Sequence, residues 1–164
     1  MRPISTRATI AIVDGNECKA IYLHSDGYLA WAGAILYDNY NTCSAAEALI
    51  DLGALSSIGV KLEPDSKEKH FVGEANDDVT EAYCRDIGES LERYCTQVAS
   101  GIESKEFVER LAKVSGGNYV YLFNKEERQW FVATVTEYQK DEKADCPEVI
   151  PFIWYPLSNW FGEE

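Results

Sequence analysis

Two strand–turn–strand patterns, one in each half of the chain, most constrain the fold. RATIAIV (residues 7–13) and residues 19–23 are apolar runs on either side of Asp14-Gly15-Asn16, which is a turn signal. NYVYLFN (118–124) and QWFVATV (129–135) flank the polar turn KEER in the same way. Each pattern predicts a β-hairpin, and together they predict an antiparallel sheet.

The segments between the hairpins are predicted to form helices that cover this sheet. Residues 28–40 repeat apolar side chains at helical spacing. Ser44-Ala45-Ala46-Glu47 matches a capping box at the start of a second helix. Ser104 precedes a third amphipathic segment, residues 105–114. Residues 79–84 alternate as a strand does, and residues 61–78 are predicted to be a flexible loop.

The order of these elements indicates the fold class. We predict a single compact α+β domain over residues 1–164, with an antiparallel sheet built from the N- and C-terminal hairpins and covered by helices. A chain of 164 residues is long enough to bury a substantial core. Residues 136–164 are a candidate acidic and aromatic extension of this domain.

Acidic charge is the strongest bulk property of the chain. Its 28 acidic and 15 basic residues give a net charge of −13. Such a protein repels nucleic acids and anionic membranes, so neither is a predicted partner. Solubility alone explains this charge in many proteins. The functional interpretation is a partner protein with a basic surface, including a surface that normally holds DNA or RNA.

The cysteines and histidines are too few and too scattered to predict a metal site. There is no CxxC, and an odd number of cysteines argues against a disulfide framework. No cofactor is predicted. No apolar run approaches the ~20 residues that cross a membrane, and the N-terminus does not resemble a signal peptide, which predicts a cytoplasmic protein. The residues concerned are Cys18, Cys43, Cys84, Cys95, Cys146, His24 and His70.

A short polar motif, HSDGY, follows the second predicted strand. In one interpretation its histidine is a general base that the aspartate orients. In the other, which we favour, the aspartate caps the following helix, the glycine relieves the turn, and the histidine packs or hydrogen-bonds at the strand end. An Arg-Asp pair is predicted to join it, as a polar network or as part of a ligand site. These candidate residues are His24, Asp26, Gly27, Tyr28, Arg85 and Asp86.

The C-terminal segment combines large aromatic side chains with acidic residues. The aromatic side chains between residues 152 and 161 either complete the core, which we favour, or form an apolar hot spot with a charged rim. The candidate partner-binding residues are Asp141, Glu142, Asp145, Glu148, Trp154 and Trp160.

Several stretches taken together resemble a known family. They are HSDGYLAWAGAILYDNYNT (24–42), AAEALIDLGALSSIG (45–59), AYCRDIGE (82–89) and YVYLF (119–123). The chain resembles a widespread, largely uncharacterised family of small phage, prophage and conjugative-element proteins with a His-x-Asp-Gly-Tyr motif. That family often has a histidine where Cys84 stands and an arginine where Ile87 stands, so this chain has fewer polar groups beside the Arg-Asp pair.

The resemblance implies an accessory protein of a mobile element, and such proteins often block host defences without catalysis. The leading hypothesis is a non-enzymatic acidic inhibitor of a host nucleic-acid-targeting defence protein. It would be of the anti-CRISPR or anti-restriction type, with nucleic-acid mimicry as one mode of binding. The alternative is a small enzyme or ligand-binding domain centred on His24, Asp26 and Arg85. The oligomeric state is left open.

Overall fold

A mixed β-sheet with helices packed on it forms the centre of the described molecule, which confirms the α+β class. The structure is a computed structural model, and it describes residues 6–15, 17–62, 79–88, 94–100, 118–134 and 153–161. The strands in these ranges are β1 (Ala8–Asp14), β2 (Glu17–Leu23), β3 (Leu55–Ser57), β4 (Glu81–Ala82), β5 (Gln97–Ser100), β6 (Tyr119–Asn124), β7 (Gln129–Thr134) and β8 (Tyr155–Pro156).

Both turn signals lie where antiparallel neighbours meet. β1 pairs with β2 along its whole length, from Ala8 opposite Leu23 to Asp14 opposite Glu17. Between β6 and β7 the side-chain oxygen of Asn124 accepts hydrogen bonds from the backbone N–H groups of Glu126 at 2.9 Å and Glu127 at 3.2 Å. Arg128 closes that turn with a φ of 56°. The left-handed residue lets the chain reverse within four residues.

The sheet is mixed, where an antiparallel sheet was predicted. Its strand order is β4-β3-β2-β1-β6-β7-β8, with β5 also pairing with β2. The two hairpins meet along β1 and β6, which run parallel, and β2 and β3 are also parallel at Leu23 and Leu55. Turn chemistry predicts how neighbouring strands pair within a hairpin. It carries no information on how one hairpin meets another, so the parallel seam was missed.

The predicted helix at residues 28–40 begins with an unusual turn. Leu29–Gly33 is π-helical and continues as α1, Ala34–Asn39. Of its apolar positions, Ala32, Ile35 and Leu36 are buried against the sheet, as the helical spacing predicts. The other helices in the described ranges are α2 (Cys43–Ile50), α3 (Ser158–Phe161) and a second π-helical segment, Tyr83–Ile87.

The start of α2 differs from the predicted capping box. The N-cap residue is Thr42, whose hydroxyl accepts a hydrogen bond from the Ala45 N–H at 3.1 Å. Ser44 lies inside the first turn and is exposed. A threonine two residues earlier satisfies the helix start equally well, and the serine pattern then only imitates a cap.

Glu47 consequently has a different role from the predicted one. Its carboxylate lies 3.1 Å from the Lys125 ammonium and 3.5 Å from that of Lys19. The same two lysines reach Asp14 at 3.4 Å and Asp51 at 3.3 Å, respectively. This charged cluster ties α2 to the first hairpin and to the turn of the second. The hydrogen bond from Lys125 is the main reason that the pKa of Glu47 lies below its usual range.

The sheet buries apolar side chains on both faces. The larger core lies under the helices and includes Tyr121, Phe123 and Trp130, with the last two rings in edge contact at 5.2 Å. The smaller core lies on the opposite face and is partly covered by Trp154. Its buried residues are Ala11, Cys18, Ala20, Val120, Leu122 and Ala133.

Some predicted elements are tested in part and others lie outside the described residues. The strand predicted at 79–84 is shorter than expected, because only Glu81–Ala82 is a strand before the second π-helical segment begins. The helix predicted at 105–114, most of the predicted loop at 61–78, and residues 136–152 fall outside the described ranges. The assignment of all 164 residues to one domain therefore stays a prediction for those parts.

Candidate functional site

The turn that contains the HSDGY motif is held by the backbone. The His24 N–H donates to the Leu55 carbonyl oxygen at 2.9 Å, and the Ser25 N–H donates to that of Ser56 at 3.1 Å. The motif therefore extends the pairing of β2 with β3 by two further residues. The His24 ring shares a hydrogen bond of 3.0 Å with the Tyr22 hydroxyl through Nδ1 and meets the Tyr22 ring edge-on. This agrees with the predicted role at the strand end.

Asp26 has the backbone role that the sequence predicted for Gly27, and neither residue is the N-cap. Asp26 is buried and has a left-handed backbone, with a φ of 61°. Tyr28, and not Asp26, is the N-cap residue of the first π-helical segment, so the predicted cap position was wrong. Aspartate tolerates the left-handed region better than most residues do. Asp26 therefore supplies the backbone conformation that was predicted for the glycine.

Gly27 is required by close packing. A Cβ atom at this position would lie 2.7 Å from the Cβ of Ala8 and 2.8 Å from the carbonyl oxygen of Thr6. The Gly27 N–H donates to that same Thr6 oxygen at 2.8 Å. On its other side, the buried Tyr121 hydroxyl donates to the Gly27 carbonyl oxygen at 2.7 Å. The glycine thus lets the turn sit directly on the start of β1.

Arg85 braces the two chain ends that flank residues 63–78. Its guanidinium donates to the carbonyl oxygens of Leu62 at 2.7 Å and Thr80 at 2.8 Å. It also forms two hydrogen bonds of 3.0 Å with the Asp86 carboxylate. Asp86 in turn accepts from the Ala82 N–H at 2.7 Å, which satisfies the start of the second π-helical segment.

The His24 and Arg85 groups lie on opposite sides of β3. Leu23 pairs with Leu55, and Leu55 pairs with Ala82. Two strand spacings, about 10 Å, therefore separate the backbones that carry the two groups. The hydrogen bonds of the Arg85 side chain described above join it to Leu62, Thr80 and Asp86, whereas a pairing with His24 or Asp26 had been predicted.

A C-terminal apolar surface is the clearest exposed feature of the described molecule. It consists of Ile153, Tyr155 and Trp160, whose exposed fractions are 65%, 48% and 48%. The Tyr155 and Trp160 rings meet edge-on with centroids 6.2 Å apart. Exposed apolar side chains that touch each other, as Tyr155 and Trp160 do, are typical of interaction sites, whereas isolated ones are common on any surface.

The residues between these three hold the surface in place. Leu157 is fully buried, and its N–H donates to the Trp130 carbonyl oxygen at 2.9 Å. Phe161 packs beside Tyr37, with ring centroids 6.0 Å apart. Both Leu157 and Phe161 lie over Gly33, where a Cβ would meet them at 3.6 and 3.4 Å. The C-terminal segment therefore packs on the first helical segment at Gly33, where no side chain intervenes.

Of the predicted partner-binding residues, the structure describes Trp154 and Trp160. Trp154 packs against the smaller core on the opposite face of the sheet, so it completes that core. Trp160 is exposed, as a contact residue must be. Asp141, Glu142, Asp145 and Glu148 lie outside the described residues. Ile153 was not a predicted contact residue. Its signal was the alternation along residues 153–156, where Ile153 and Tyr155 are exposed and the residues that follow each of them are partly buried.

Most of the acidic charge lies elsewhere in the chain. The described residues hold six basic and ten acidic side chains, a net charge of −4 out of −13. Residues 136–164 alone hold seven acidic and two basic residues. The apolar surface carries no charge itself, and Glu163 and Glu164 follow Phe161 closely in the sequence. The surface is thus an uncharged patch within an acidic stretch of chain.

The described residues offer neither a cluster of metal ligands nor a membrane-spanning helix. Within these ranges no group of three or more His, Cys, Asp or Glu side chains is placed to hold a metal ion. No helix there is long and apolar enough to cross a membrane. No family model, curated protein sequence or solved structure matches the chain. The resemblance to the mobile-element family accordingly stays a prediction.

Proposed function

We propose that this protein is a cytoplasmic, non-enzymatic accessory protein of a mobile element that inhibits a host nucleic-acid-targeting defence protein. In this proposal the C-terminal apolar surface docks on a basic surface of that protein. The observation that carries the proposal is the exposure of Ile153, Tyr155 and Trp160 on a segment that Leu157 anchors in the core. An anchored aromatic pair is ordered before it binds, which lowers the entropic cost of association.

The proposed contact is made by side chains and not by strand addition. β8 lies at the end of the described strand order, beside β7. Its second residue, Pro156, has no N–H to donate to an added strand, and proline is a common protection of sheet edges. Tyrosine and tryptophan are among the side chains that contribute most to protein–protein interfaces.

The charge of the chain favours a basic partner. Seven acidic residues against two basic ones in residues 136–164 would attract a positive surface and speed its encounter with this protein. The same charge repels nucleic acid. A basic groove that normally holds DNA or RNA fits both conditions, and blocking such a groove would inhibit a nuclease without any chemistry.

The arrangement gives less support to the alternative, a ligand or catalytic site centred on His24, Asp26 and Arg85. β3 separates the histidine from the arginine. The arginine donates to Asp86 and to the carbonyl oxygens of Leu62 and Thr80. A catalytic arginine needs donors that are available to a substrate.

The experiment is affinity capture from host lysate at low and at physiological salt, with three baits. The baits are the wild-type protein, Trp160→Ser, and the control Val98→Ser. Val98 is also an exposed apolar residue, with a 57% exposed fraction, but it lies on β5. We expect the wild-type and Val98→Ser baits to recover a basic nuclease or defence subunit that salt releases and that Trp160→Ser fails to recover.

The recovered protein is then assayed for nucleic-acid cleavage. Inhibition by the wild-type protein, and none by Trp160→Ser, is the expected result. A partner that is not basic, recovery that does not depend on Trp160, or cleavage that proceeds unchanged would each contradict the proposal. Retention of DNA or RNA by the purified protein in a gel-shift assay would contradict it as well.

A further inference from the structure

Ala54, which follows α2, joins the segment that contains Tyr83 to the segment that contains Tyr94. The Ala54 N–H donates to the Tyr94 carbonyl oxygen at 2.8 Å, and the Tyr83 N–H donates to the Ala54 carbonyl oxygen at 3.1 Å. The Tyr83 and Tyr94 rings stack with centroids 4.4 Å apart and planes within 4° of parallel. Gly53 lies against the same segment, so close to the Tyr94 carbonyl that a Cβ there would collide with it.

A cysteine follows each of the stacked tyrosines. Cys84 and Cys95 are both thiols in this structure. The Cys84 sulfur lies 3.8 Å from the Tyr94 carbonyl oxygen, which belongs to the peptide unit that joins Tyr94 to Cys95. It is therefore within about 7 Å of the Cys95 Cα atom, so the two cysteines are neighbours in the fold.

The two thiols differ in their surroundings. Cys95 is exposed, whereas Cys84 is partly buried. Burial, and to a smaller degree the neighbouring Cys95, raises the pKa of the Cys84 thiol. Cys95 is thus the thiol that a reagent in solution reaches first, and Cys84 is held where it can attack a bond formed at Cys95.

We propose that Cys84 and Cys95 form an oxidative modification site, at which a low-molecular-weight disulfide converts the two thiols into an intramolecular disulfide. The Cys95 thiolate attacks one sulfur of the reagent, forms a mixed disulfide and releases the first thiol. The Cys84 thiolate then attacks the Cys95 sulfur and releases the second thiol. The protein loses two protons and two electrons, and the reagent's disulfide is reduced to two thiols.

The new bond would fasten the second π-helical segment to the segment that enters β5. It closes a ring over residues 84–95, and closing a ring restricts the unfolded chain. The melting temperature of the oxidised protein should therefore rise by about 5 °C relative to the reduced protein. This proposal stands apart from the proposed function, because it uses neither the C-terminal apolar surface nor the acidic charge.

The test is incubation of the full chain with oxidised glutathione, followed by intact-mass measurement and peptide mapping without reduction. We expect the mass of the wild type to fall by that of two hydrogen atoms. Peptide mapping should give a cross-linked pair of peptides that contain Cys84 and Cys95. Cys84→Ser should instead stop at a stable glutathione adduct on Cys95. The control Cys43→Ser, at another partly buried cysteine, should form the same internal disulfide as the wild type.

Three results would overturn the proposal. One is a stable glutathione adduct on Cys95 in the wild type. Another is a disulfide from either residue to a different cysteine. The third is no oxidation of Cys95 after a day in excess reagent. A circular dichroism spectrum of each serine variant under reducing conditions shows that it is folded, so that a missing disulfide is not caused by unfolding.

Discussion

The turn at residues 24–28 and the segment at residues 153–161 are both rich in conspicuous side chains, yet the fold uses them differently. In the turn, His24 bonds to Tyr22, Asp26 is buried, and Gly27 packs on the start of β1. In the C-terminal segment, Leu157 is buried while Tyr155 and Trp160 remain about half exposed. The conspicuous residues of the turn therefore stabilise the fold, whereas Tyr155 and Trp160 of the C-terminal segment are exposed to solvent.

The comparison shows that a conspicuous sequence motif is not necessarily a surface that a ligand or partner can reach. A motif with a histidine, an aspartate and a glycine attracts a catalytic interpretation because each residue type has catalytic uses. Whether such a motif can be catalytic depends on whether its hydrogen-bonding groups are still available to a substrate. Aromatic residues near the C-terminus were predicted to complete the core. Trp154 does so, whereas Trp160 is half exposed. The following predictions test the two halves of this comparison.

The largest expected effect is the loss of the anchor in the C-terminal segment. Leu157→Ala removes a fully buried side chain that packs over Gly33. It should lower the free energy of unfolding by about 2 to 5 kcal/mol, measured by urea denaturation. The exposed control Ile153→Ala should change it by less than about 0.5 kcal/mol. Equal stability of the two variants would mean that the segment is not anchored as described.

Gly27→Ala tests whether the motif serves the fold. The added Cβ would lie 2.7 Å from the Cβ of Ala8 and 2.8 Å from a backbone oxygen, so the chain must shift. We expect a loss of about 1 to 3 kcal/mol in the free energy of unfolding, again by urea denaturation. Ala30→Ser, at an exposed position nearby, is the control. An unchanged unfolding midpoint for Gly27→Ala would contradict the close packing.

Thr42→Ala and Ser44→Ala distinguish the observed helix cap from the one that the sequence predicted. The Thr42 hydroxyl accepts the Ala45 N–H at 3.1 Å, and its removal should cost about 1 kcal/mol of stability. Ser44 lies inside the helix, so its replacement by alanine should be neutral or slightly stabilising. Thermal unfolding of the two variants side by side is the measurement. The reverse order would restore the predicted capping box.

The smallest expected effect is a pH dependence that arises from Glu47. Its pKa is lowered from 4.5, chiefly by the hydrogen bond from Lys125. Because the folded pKa lies below the unfolded one, the stabilisation is present above pH 4.5 and is lost as the pH falls through the folded value. The wild type should therefore lose more stability between pH 6 and pH 3 than Glu47→Gln does. Identical pH profiles would show that the cluster contributes nothing measurable.

The local parts of the fold could be predicted from the sequence. Turn residues marked where β1 meets β2 and where β6 meets β7, and helical spacing marked the buried positions Ala32, Ile35 and Leu36. These features depend on residues a few positions apart. The parallel pairing of β1 with β6 joins residues more than a hundred positions apart, and no local pattern encodes it.

The candidate site likewise has features that could be predicted from the sequence and features that depend on tertiary contacts. The sequence predicts Trp160 as a contact residue from its type and its acidic neighbours, and the structure shows that it is exposed. It could not distinguish Trp160 from Trp154, because the difference arises from tertiary packing: Trp154 lies against the core, whereas Trp160 lies on α3 and is half exposed. The neighbouring positions of Cys84 and Cys95 were missed for a similar reason, since they follow from contacts at Ala54 and not from cysteine spacing.

The most direct test of the central claim compares Trp160→Ala with His24→Ala in binding to the captured partner. Affinity is measured by surface plasmon resonance at physiological salt, after both variants have been shown to be folded. A hot-spot tryptophan contributes about 2 kcal/mol or more, so Trp160→Ala should weaken binding by about 30-fold or more, while His24→Ala should bind as the wild type does. Lost binding in His24→Ala with full binding in Trp160→Ala would contradict the account and move the functional site to the HSDGY turn.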